Sequence, residues 1–462
     1  MKNVFKILFI ILFTLSTTTI HSQTDNGWTI MYYAAGSNSS ELDLLQNMDQ
    51  MIKGKQSKGY EVITLIDRIE GYSKDSKTLG ENFTDTKLYK FDDNSYQELS
   101  GKEILPELKK EASHEANMGD ADLLKRFIIY CKKYYPAKHY MLILRSHGNG
   151  WRMCPDREAG VDDALHSTEL GEVLSNEESV DVLGLDVCSM AGLENFYEWR
   201  PSETSFSANY ILASAPVSAS WDYKSIFSRL QTDGKTSKEN NYFESGKENP
   251  LNPFKMTPDQ FSKLLIEEIY DNQRWSSWGL FNNIKITDVK LKIDELARLL
   301  SVEKNADIYS IIEQASGYYN EKGVEEVKQE VAFPYIDAYD FAQQISNNQK
   351  LDQKTRAKAS EVCKIIDQLV LYSYYGGKGP LPKKSNFEEG KNGVYIIAPQ
   401  GNKVYPPTGK TFWEHSKKWF SPYDQKHITG AYGLYDWCSD GMKPENEKVD
   451  NFYEYLDFLF TK

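Results

Sequence analysis

Long apolar runs are scarce in this chain of 462 residues. The one extended run covers residues 4–15 and is too short to span a bilayer comfortably. Lys2 and Lys6 flank its start and small polar residues follow it, which is the pattern of a signal peptide over residues 1–22. No cysteine lies near the cleavage region, so a lipoprotein anchor is not predicted, although an N-terminal membrane anchor is the alternative. We expect an exported protein, secreted or periplasmic, with no transmembrane segment in the mature chain.

Positive charge is also in short supply. The chain has 54 Lys and Arg against 67 Asp and Glu, which gives a net charge of −13. Because nucleic-acid binding requires clustered basic residues, this balance argues against a nucleic-acid partner. It suits a cationic substrate, although net charge does not locate a site.

Cysteine is too sparse for a disulfide scaffold. The five cysteines are Cys131, Cys154, Cys188, Cys363 and Cys438. An odd number in an exported protein indicates at least one free thiol, which can be reactive.

Patterns for bound cofactors are missing as well. The sequence has no phosphate loop, no dinucleotide fingerprint and no HExxH motif. Candidate zinc ligands that lack the usual tight spacing are His139, His147, Cys154 and His166, and candidate calcium ligands outside any EF-hand pattern are Asp156, Asp162 and Asp163. We therefore expect no metal site and no required cofactor, and nothing in the sequence indicates calcium.

Strands and helices alternate along the first half of the chain. Short apolar segments bounded by turn residues predict buried strands, and helical periodicity predicts helices between them. The predicted strands are 28–35, 60–67, 140–144, 180–188 and 210–215. This alternation predicts an α/β fold with a mostly parallel central sheet covered on both faces.

The rest of the chain divides by composition. After the signal peptide we predict a catalytic core over 23–230 and a polar linker or surface insertion over 231–258. The remainder of the same domain covers 259–400, and an aromatic-rich C-terminal extension covers 401–462.

His147 and Cys188 each follow one of the predicted buried strands. Because functional groups in parallel sheets gather at the carboxyl ends of strands, the two side chains are expected at one edge. A thiol beside an imidazole is the arrangement of a nucleophilic site, and a helix beginning soon after Cys188 would favour the thiolate. The backbone N–H groups of Gly148 and Cys188 are the expected oxyanion donors.

Asp186 lies two residues before Cys188, and residues i and i+2 of a strand point to the same side. Its carboxylate could therefore hold an Arg or Lys side chain of a substrate. The competing interpretation is that Asp186 caps a loop or orients His147.

These residues resemble the clostripain family of cysteine peptidases, relatives of caspases, gingipains and legumains. The resemblance runs with gaps from about residue 28 to residue 399. Its markers are WTIMYYAA at 28–35, NMGDADLLKRFI at 117–128, LRSHGNGW at 144–151, LDVCSMAGLENFYE at 185–198, YILAS at 210–214 and the later segments at 221–223, 335–341 and 392–395.

The resemblance implies a caspase-like α/β/α sandwich with added C-terminal elements. It implies His147 as general base and acid, Cys188 as nucleophile, and Asp186 in a pocket for Arg or Lys. It also implies self-cleavage in the loop 151–162, where Arg152 and Arg157 are the candidates.

The sequence departs from the family pattern after the fifth strand. An acidic residue often follows the serine there, whereas Ser214 is followed by Ala215 and Pro216. Asp222 is the candidate substitute. Calcium dependence varies among relatives, and nothing in this sequence settles it.

Together these features predict an exported cysteine endopeptidase that cleaves peptides and proteins after Arg or Lys. The first alternative is a peptidase-like binding module for basic peptides that does no chemistry. The second is an unrelated exported hydrolase whose centre lies in the aromatic C-terminal region. The oligomeric state does not follow from the sequence.

Overall fold

A computed structural model describes residues 26–105, 115–157, 163–233, 252–272, 275–303, 308–318, 334–376, 387–399, 401, 403–417, 432–438 and 449–461. The predicted signal peptide, Asp162 and most of the predicted linker lie outside these residues. No helix within the described residues is long and apolar enough to cross a membrane.

The strands are β1 Asn26–Gly36, β2 Tyr60–Arg68, β3 Thr86–Asp92, β4 Ser95–Leu99, β5 Ala137–Arg145, β6 Arg152–Asp156, β7 Asp163–His166, β8 Val180–Asp186, β9 Ala208–Ala213, β10 Ser277–Asn282, β11 Tyr335–Asp337, β12 Val370–Tyr375, β13 Tyr395–Ile397, β14 Val404–Tyr405 and β15 Lys410–Thr411. The helices are α1 Glu41–Gly54, α2 Ala121–Tyr134, α3 Ser167–Val173, α4 Leu193–Glu198, α5 Tyr223–Ser228, α6 Pro258–Asn272, α7 Ile286–Leu300, α8 Ile308–Gln314, α9 Ala338–Asn347, α10 Gln353–Leu369, α11 Phe412–Lys417 and α12 Phe452–Thr461.

Nine strands form one central sheet in the order β12-β10-β9-β8-β5-β1-β2-β3-β4. The five central strands, β9, β8, β5, β1 and β2, are parallel. Antiparallel strands complete both edges, β3 and β4 on one side and β10 and β12 on the other. The predicted α/β fold with a mostly parallel centre is confirmed.

Two hydrophobic cores lie on opposite faces of the sheet. Alternate residues of β1 supply them, because neighbouring side chains of a strand point to opposite faces. Ile30 and Tyr32 belong to the core beneath α1, α5 and α6, whereas Met31 and Tyr33 belong to the core that includes residues of α2, α4, α7, α9 and α10. The molecule is therefore an α/β/α sandwich.

The sequence predictions missed strands β10 and β12. Strand β10 lies between β9 and β12 in the sheet. Helix α10 ends at Leu369, and β12 follows directly. Both strands are only six residues long, and neither has turn residues on both sides to mark it as a separate strand.

The C-terminal residues pack into the same core. Trp437 and Cys438 are fully buried within it. Two carboxylates of α4 hold this segment: Glu194 accepts a hydrogen bond from the Tyr432 hydroxyl at 3.3 Å, and Glu198 accepts one from the backbone N–H of Asp436 at 2.7 Å. Burial raises the pKa of Glu194 from 4.5 to about 7, and burial together with the charge of Asp436 raises that of Glu198 to about 8.

These pKa values predict a loss of stability at alkaline pH. A carboxyl whose folded pKa exceeds its unfolded pKa contributes stability below the unfolded value and loses it as pH rises through the folded value. Between pH 5 and pH 8.5 the wild-type free energy of unfolding should therefore fall, with a contribution from Glu194 on the order of 2 kcal/mol.

Thermal unfolding of Glu194→Gln across this pH range checks the prediction. The variant should lose less stability than wild type at alkaline pH, because its amide does not ionise. Glu172→Gln, on the exposed side of α3, is the matched control and should follow wild type. Parallel pH curves for Glu194→Gln and wild type would contradict the assignment.

Candidate functional site

A cavity of about 730 Å³ opens at the carboxyl edge of the central strands. His147 and Gly148, which follow β5, line it together with Val187 and Cys188, which follow β8, and with residues 217–220 after β9. The sequence prediction placed His147 and Cys188 at one edge of the sheet, and the described geometry brings both into this cavity.

The register of β5 and β8 sets this arrangement. The two strands are parallel, and Arg145 is the Cα partner of Asp186 at their last paired position. His147 and Cys188 each lie two residues beyond that pair, so both emerge at the same level of the sheet edge. The sequence separation of 41 residues is thus closed by strand pairing.

Gly148 brings the two loops into contact. A Cβ at this position would lie 2.7 Å from the carbonyl oxygen of Cys188 and 3.0 Å from Cβ of Val187. Any larger residue would push the loops apart, because real Cβ atoms do not approach backbone oxygens this closely. No described group accepts a hydrogen bond from the backbone N–H of Gly148 or of Cys188.

The thiol of Cys188 is partly buried and faces Ser218. The sulfur lies 3.5 Å from the backbone nitrogen of Ser218 and 3.6 Å from its carbonyl oxygen. Burial raises the pKa of the thiol, and the Ser218 N–H and the charge of Arg145 oppose that shift. The net shift favours the neutral thiol over the thiolate in the free chain.

The helix expected soon after Cys188 is α4, and a sharp turn separates the two. Ser189 has a φ of 59°, a left-handed conformation that is strained for a non-glycine residue. The chain thus turns sharply after Cys188, and α4 starts only at Leu193. The backbone N–H group within hydrogen-bond distance of the sulfur is that of Ser218.

The side chain of His147 is exposed and contacts the loop after β1. Its Nε2 lies 2.8 Å from Oγ of Ser39. Desolvation lowers the pKa of the imidazole, as do the charges of Arg145 and Arg157, while Asp43 opposes them. Among the described contacts, His147 and Cys188 share the cavity but no hydrogen bond, so the ring is held by Ser39 in this state.

Asp186 lines the cavity but its carboxylate is already engaged. Its Oδ2 lies 3.2 Å from Nε of Arg145, and it accepts a hydrogen bond of 2.8 Å from the Tyr223 hydroxyl. The side chain is only 2% exposed. Burial raises the pKa of Asp186, and Arg145 is the main opposing influence. The carboxylate predicted to meet a substrate cation thus has an internal cation beside it.

Asp222 does not lie among the described residues that line the cavity. It caps α5, where its carboxylate accepts hydrogen bonds from the backbone N–H of Ser225 at 3.1 Å and from the Ser225 hydroxyl at 2.9 Å. The proposal that Asp222 replaces an acidic residue of the substrate pocket is therefore corrected: it stabilises a helix start.

The sequence predictions did not include the residues of α1 that line one side of the cavity. Asp43, Gln46, Asn47 and Gln50 line it from α1. Their spacing of three, four and seven residues places them on one face of the helix, away from its buried apolar residues Leu44, Leu45, Met48 and Met51. A polar stripe at helical spacing beside the predicted strand ends was the available signal.

A late segment of the chain braces both loops. The hydroxyl of Tyr395 lies 2.9 Å from the carbonyl oxygen of Ser189 and 3.1 Å from that of Gly150. Tyr335 stacks on Tyr395 with a centroid distance of 4.2 Å, and its hydroxyl donates to the carbonyl oxygen of Asn149 at 2.7 Å. Residues from beyond position 330 thus fix the backbone that follows each functional residue.

Among the described residues, the candidate zinc ligands His139, His147, Cys154 and His166 do not form a cluster with metal-ligand spacing. Within the described residues, one group of three potential ligands has its atoms close enough together for a metal ion. It consists of Asp67, Glu115 and Asp156, whose ligand atoms lie within 4.8 Å of one another. It does not include Asp163, whose carboxylate instead accepts a hydrogen bond from Asn117 at 2.7 Å. Asp67 and Asp156 also accept hydrogen bonds from Thr86 and from the backbone N–H of Met118.

Arg152 and Arg157 differ in accessibility. Arg152 is half-buried and belongs to β6, which pairs with β7. Arg157 is exposed and follows the end of β6. Because peptidases bind their substrates as extended, accessible chain, Arg157 is the more accessible candidate for a cleavage site.

Known proteins are similar to this chain in sequence and in fold. The model of the clostripain family, Peptidase_C11, matches residues 32–447. The chain is 35% identical over 472 residues to clostripain from Hathewaya histolytica, which covers 94% of this chain and 87% of that protein. The family match extends into the predicted C-terminal extension.

Two solved structures show the same fold at low sequence identity. An inactive zymogen C11 protease from Parabacteroides distasonis superimposes with a TM-score of 0.55 at 14% identity, covering 90% of this chain and 98% of that one. A secreted C11 cysteine protease from Bacteroides thetaiotaomicron, solved with an irreversible peptide inhibitor, gives a TM-score of 0.52 at 16% identity, covering 90% and 100%. The caspase-like fold agrees with both sequence comparisons. The family match and the clostripain relative show that the chain belongs to the clostripain family and is a cysteine endopeptidase.

Proposed function

We propose that the chain cleaves peptide bonds after Arg or Lys, with Cys188 as nucleophile and His147 as general base and acid. The observation that carries this proposal is the contact between the two loops at Gly148, which places the imidazole and the thiol in one cavity. The cavity is large enough to take a side chain and the peptide around it.

The reaction uses groups of the chain alone. Sγ of Cys188 attacks the scissile carbonyl carbon while its proton passes to His147, and the carbonyl oxygen becomes an oxyanion. The backbone N–H groups of Gly148 and Cys188, which have no acceptor among the described residues, are the donors for that oxyanion. His147 then protonates the leaving amine, and water releases the acyl group. We propose that no cofactor is required.

The pKa directions fit proton transfer during the attack. Desolvation raises the pKa of the Cys188 thiol and lowers that of the His147 imidazole, and both shifts favour the neutral forms in the free chain. A neutral imidazole can accept the thiol proton when substrate binds, so the nucleophile need not exist as a thiolate beforehand.

Ser39 orients the general base. Its Oγ contacts Nε2 of His147 at 2.8 Å. If the Nε2–H donates to this oxygen, the lone pair of Nδ1 is left for the thiol proton. A nucleophile, a base and a third group that orients the base is the arrangement that nucleophilic enzymes use repeatedly.

The charge of the cavity supports a cationic substrate side chain. Two carboxylates, Asp43 and Asp186, line it against one guanidinium, that of Arg145. With His147 neutral, the described lining has one negative charge in excess. An Arg or Lys side chain would complete the balance.

Export and self-processing complete the proposal. The signal-peptide pattern over 1–22 directs the chain out of the cytoplasm. We place self-cleavage after Arg157, which is exposed and whose charge acts on His147. The alternative of a binding module for basic peptides predicts the same cavity without turnover.

Replacing the nucleophile separates these alternatives. Cys188→Ala should lower kcat on a fluorogenic Arg peptide by roughly four orders of magnitude or more, because the covalent step is lost. Wild type should also be labelled stoichiometrically at Cys188 by a peptidyl alkylating agent. Equal turnover by both proteins, or a wild type that binds the peptide without cleaving it, would contradict the enzyme proposal.

Ser39→Ala tests the orientation of His147. Its kcat should fall, by less than the roughly 100-fold that general acid–base catalysis contributes, while KM stays unchanged because substrate contacts remain. Ser39→Thr retains the hydroxyl and should recover most of the activity. A Ser39→Ala variant with the wild-type kcat and pH–rate profile would rule out this role.

Gel analysis of full-length chains tests self-cleavage. Wild type should convert into two fragments, whereas Arg157→Gln and Cys188→Ala should stay intact. Arg152→Gln is the matched control and should be processed like wild type, since its peptide bond lies within a hairpin strand. An intact wild-type chain with full activity would show that processing is not required.

A further inference from the structure

A buried amide outside the cavity lining contacts the backbone of two loops, the one that carries His147 and the one that carries Cys188. These are the two dyad loops. Nδ2 of Asn195, on α4, donates to the carbonyl oxygen of Gly150 in the first loop at 2.8 Å and lies 3.3 Å from that of Met190 in the second. Asn195 is 1% exposed and is not among the described residues that line the cavity. Its side chain therefore connects the two dyad loops from a position that does not touch the substrate.

The orientation of the Asn195 amide follows from its surroundings. A carbonyl oxygen cannot donate, so the atom that faces the carbonyl of Gly150 is the amide nitrogen. The second N–H of this nitrogen points to the hydroxyl oxygen of Tyr395, which lies 3.0 Å away. The Tyr395 hydroxyl then donates to the carbonyl oxygen of Ser189 at 2.9 Å. On the other side of the amide, the Tyr435 hydroxyl donates to Oδ1 of Asn195 at 3.1 Å, which completes a buried chain of hydrogen bonds.

Ser189 depends on this chain because its backbone is strained. Its φ of 59° is the left-handed conformation that non-glycine residues avoid, and such a conformation persists only where the surrounding structure holds it. The backbone N–H of Ser189 donates to the carbonyl oxygen of Pro216 at 3.0 Å, and its carbonyl oxygen accepts from Tyr395. Because Ser189 follows Cys188 directly, loss of either contact would allow the direction of the thiol to change.

The packing around the amide is tight on both dyad loops. A Cβ at Gly150 would lie 2.0 Å from the hydroxyl oxygen of Tyr335, and a Cβ at Gly192 would lie 2.3 Å from the ring of Tyr395. Both tyrosine rings are thus packed directly on loop backbone where only glycine fits. A displacement of these rings or of the Asn195 amide is therefore passed to the loops themselves.

We propose that Asn195 is a positioning residue that sets the distance between the imidazole of His147 and the thiol of Cys188. The inference rests on the roles proposed above for these two side chains. Tyr435 orients the amide, so the segment 432–438 takes part in assembling the site, although the sequence placed it in an appended extension. Because misplacing reacting groups by about 1 Å can cost roughly 100-fold in rate, the effect of Asn195 concerns kcat more than substrate binding.

The test makes the same substitution at two buried asparagines of the full-length protein. Asn195→Asp removes the amide donors and should lower kcat on a fluorogenic Arg peptide by roughly 10- to 100-fold, while KM changes by less than about threefold. Asn283→Asp is the matched control. Asn283 is fully buried, and its Nδ2 also donates to three carbonyl oxygens, those of Phe196, Trp199 and Ala208, outside the dyad loops. It should keep the wild-type kcat, although thermal unfolding should show a loss of stability in both variants.

A second pair of variants keeps the test decisive if Asn195→Asp does not fold. Tyr435→Phe removes only the hydroxyl that orients the amide, and it should lower kcat severalfold with KM unchanged. Tyr432→Phe is its control, because that hydroxyl belongs to the same segment but contacts Glu194, and it should keep the wild-type kcat.

The outcomes separate this inference from the proposed function. A folded Asn195→Asp with the wild-type kcat overturns the positioning role, and so does an equal fall in Asn283→Asp, because the effect would then reflect a general loss of packing. If Asn195→Asp does not fold, a wild-type kcat in Tyr435→Phe overturns the role. If wild type and Cys188→Ala turn over the peptide equally, the proposed function fails first and the positioning role falls with it.

Discussion

The pairing of β5 with β8 is the constraint on which the site depends. Because these strands run parallel and Arg145 is opposite Asp186, the residues that follow them are brought to one level of the sheet edge. The same register buries an ion pair beneath the cavity and brings His147 and Cys188 to its lining. A shift of one residue would turn every side chain of one strand to the other face and would remove both features.

The centre of the fold was predictable because its signals are local. Strands β1, β2, β5, β8 and β9 are buried on both faces and read as short apolar runs, and the Gly and polar residues after them mark their carboxyl ends. The edge strand β12 was missed because it follows α10 without a break and its residues continue an apolar pattern. Only its pairing with β10 gives it strand character.

The candidate site was predictable in part for the same reason. Strand ends located His147, Cys188 and their glycine, but side-chain partnerships depend on contacts between distant segments. The engagement of Asp186 by Arg145, the contact of Ser39 with His147 and the capping role of Asp222 follow from tertiary structure. The polar face of α1 was visible as a spacing, yet its direction toward the cavity was not.

The contacts of Tyr335 and Tyr395 determine when the site is fully assembled during folding. Their hydroxyls hold the backbone at Asn149, Gly150 and Ser189, although they lie some 200 residues further along the chain. Contacts of such long sequence separation form late in folding, since the intervening chain must be closed first. A chain still being synthesised on the ribosome would carry the thiol and the imidazole before the contacts of Tyr335 and Tyr395 are present. Delayed assembly of this kind would spare the producing cell from its own peptidase.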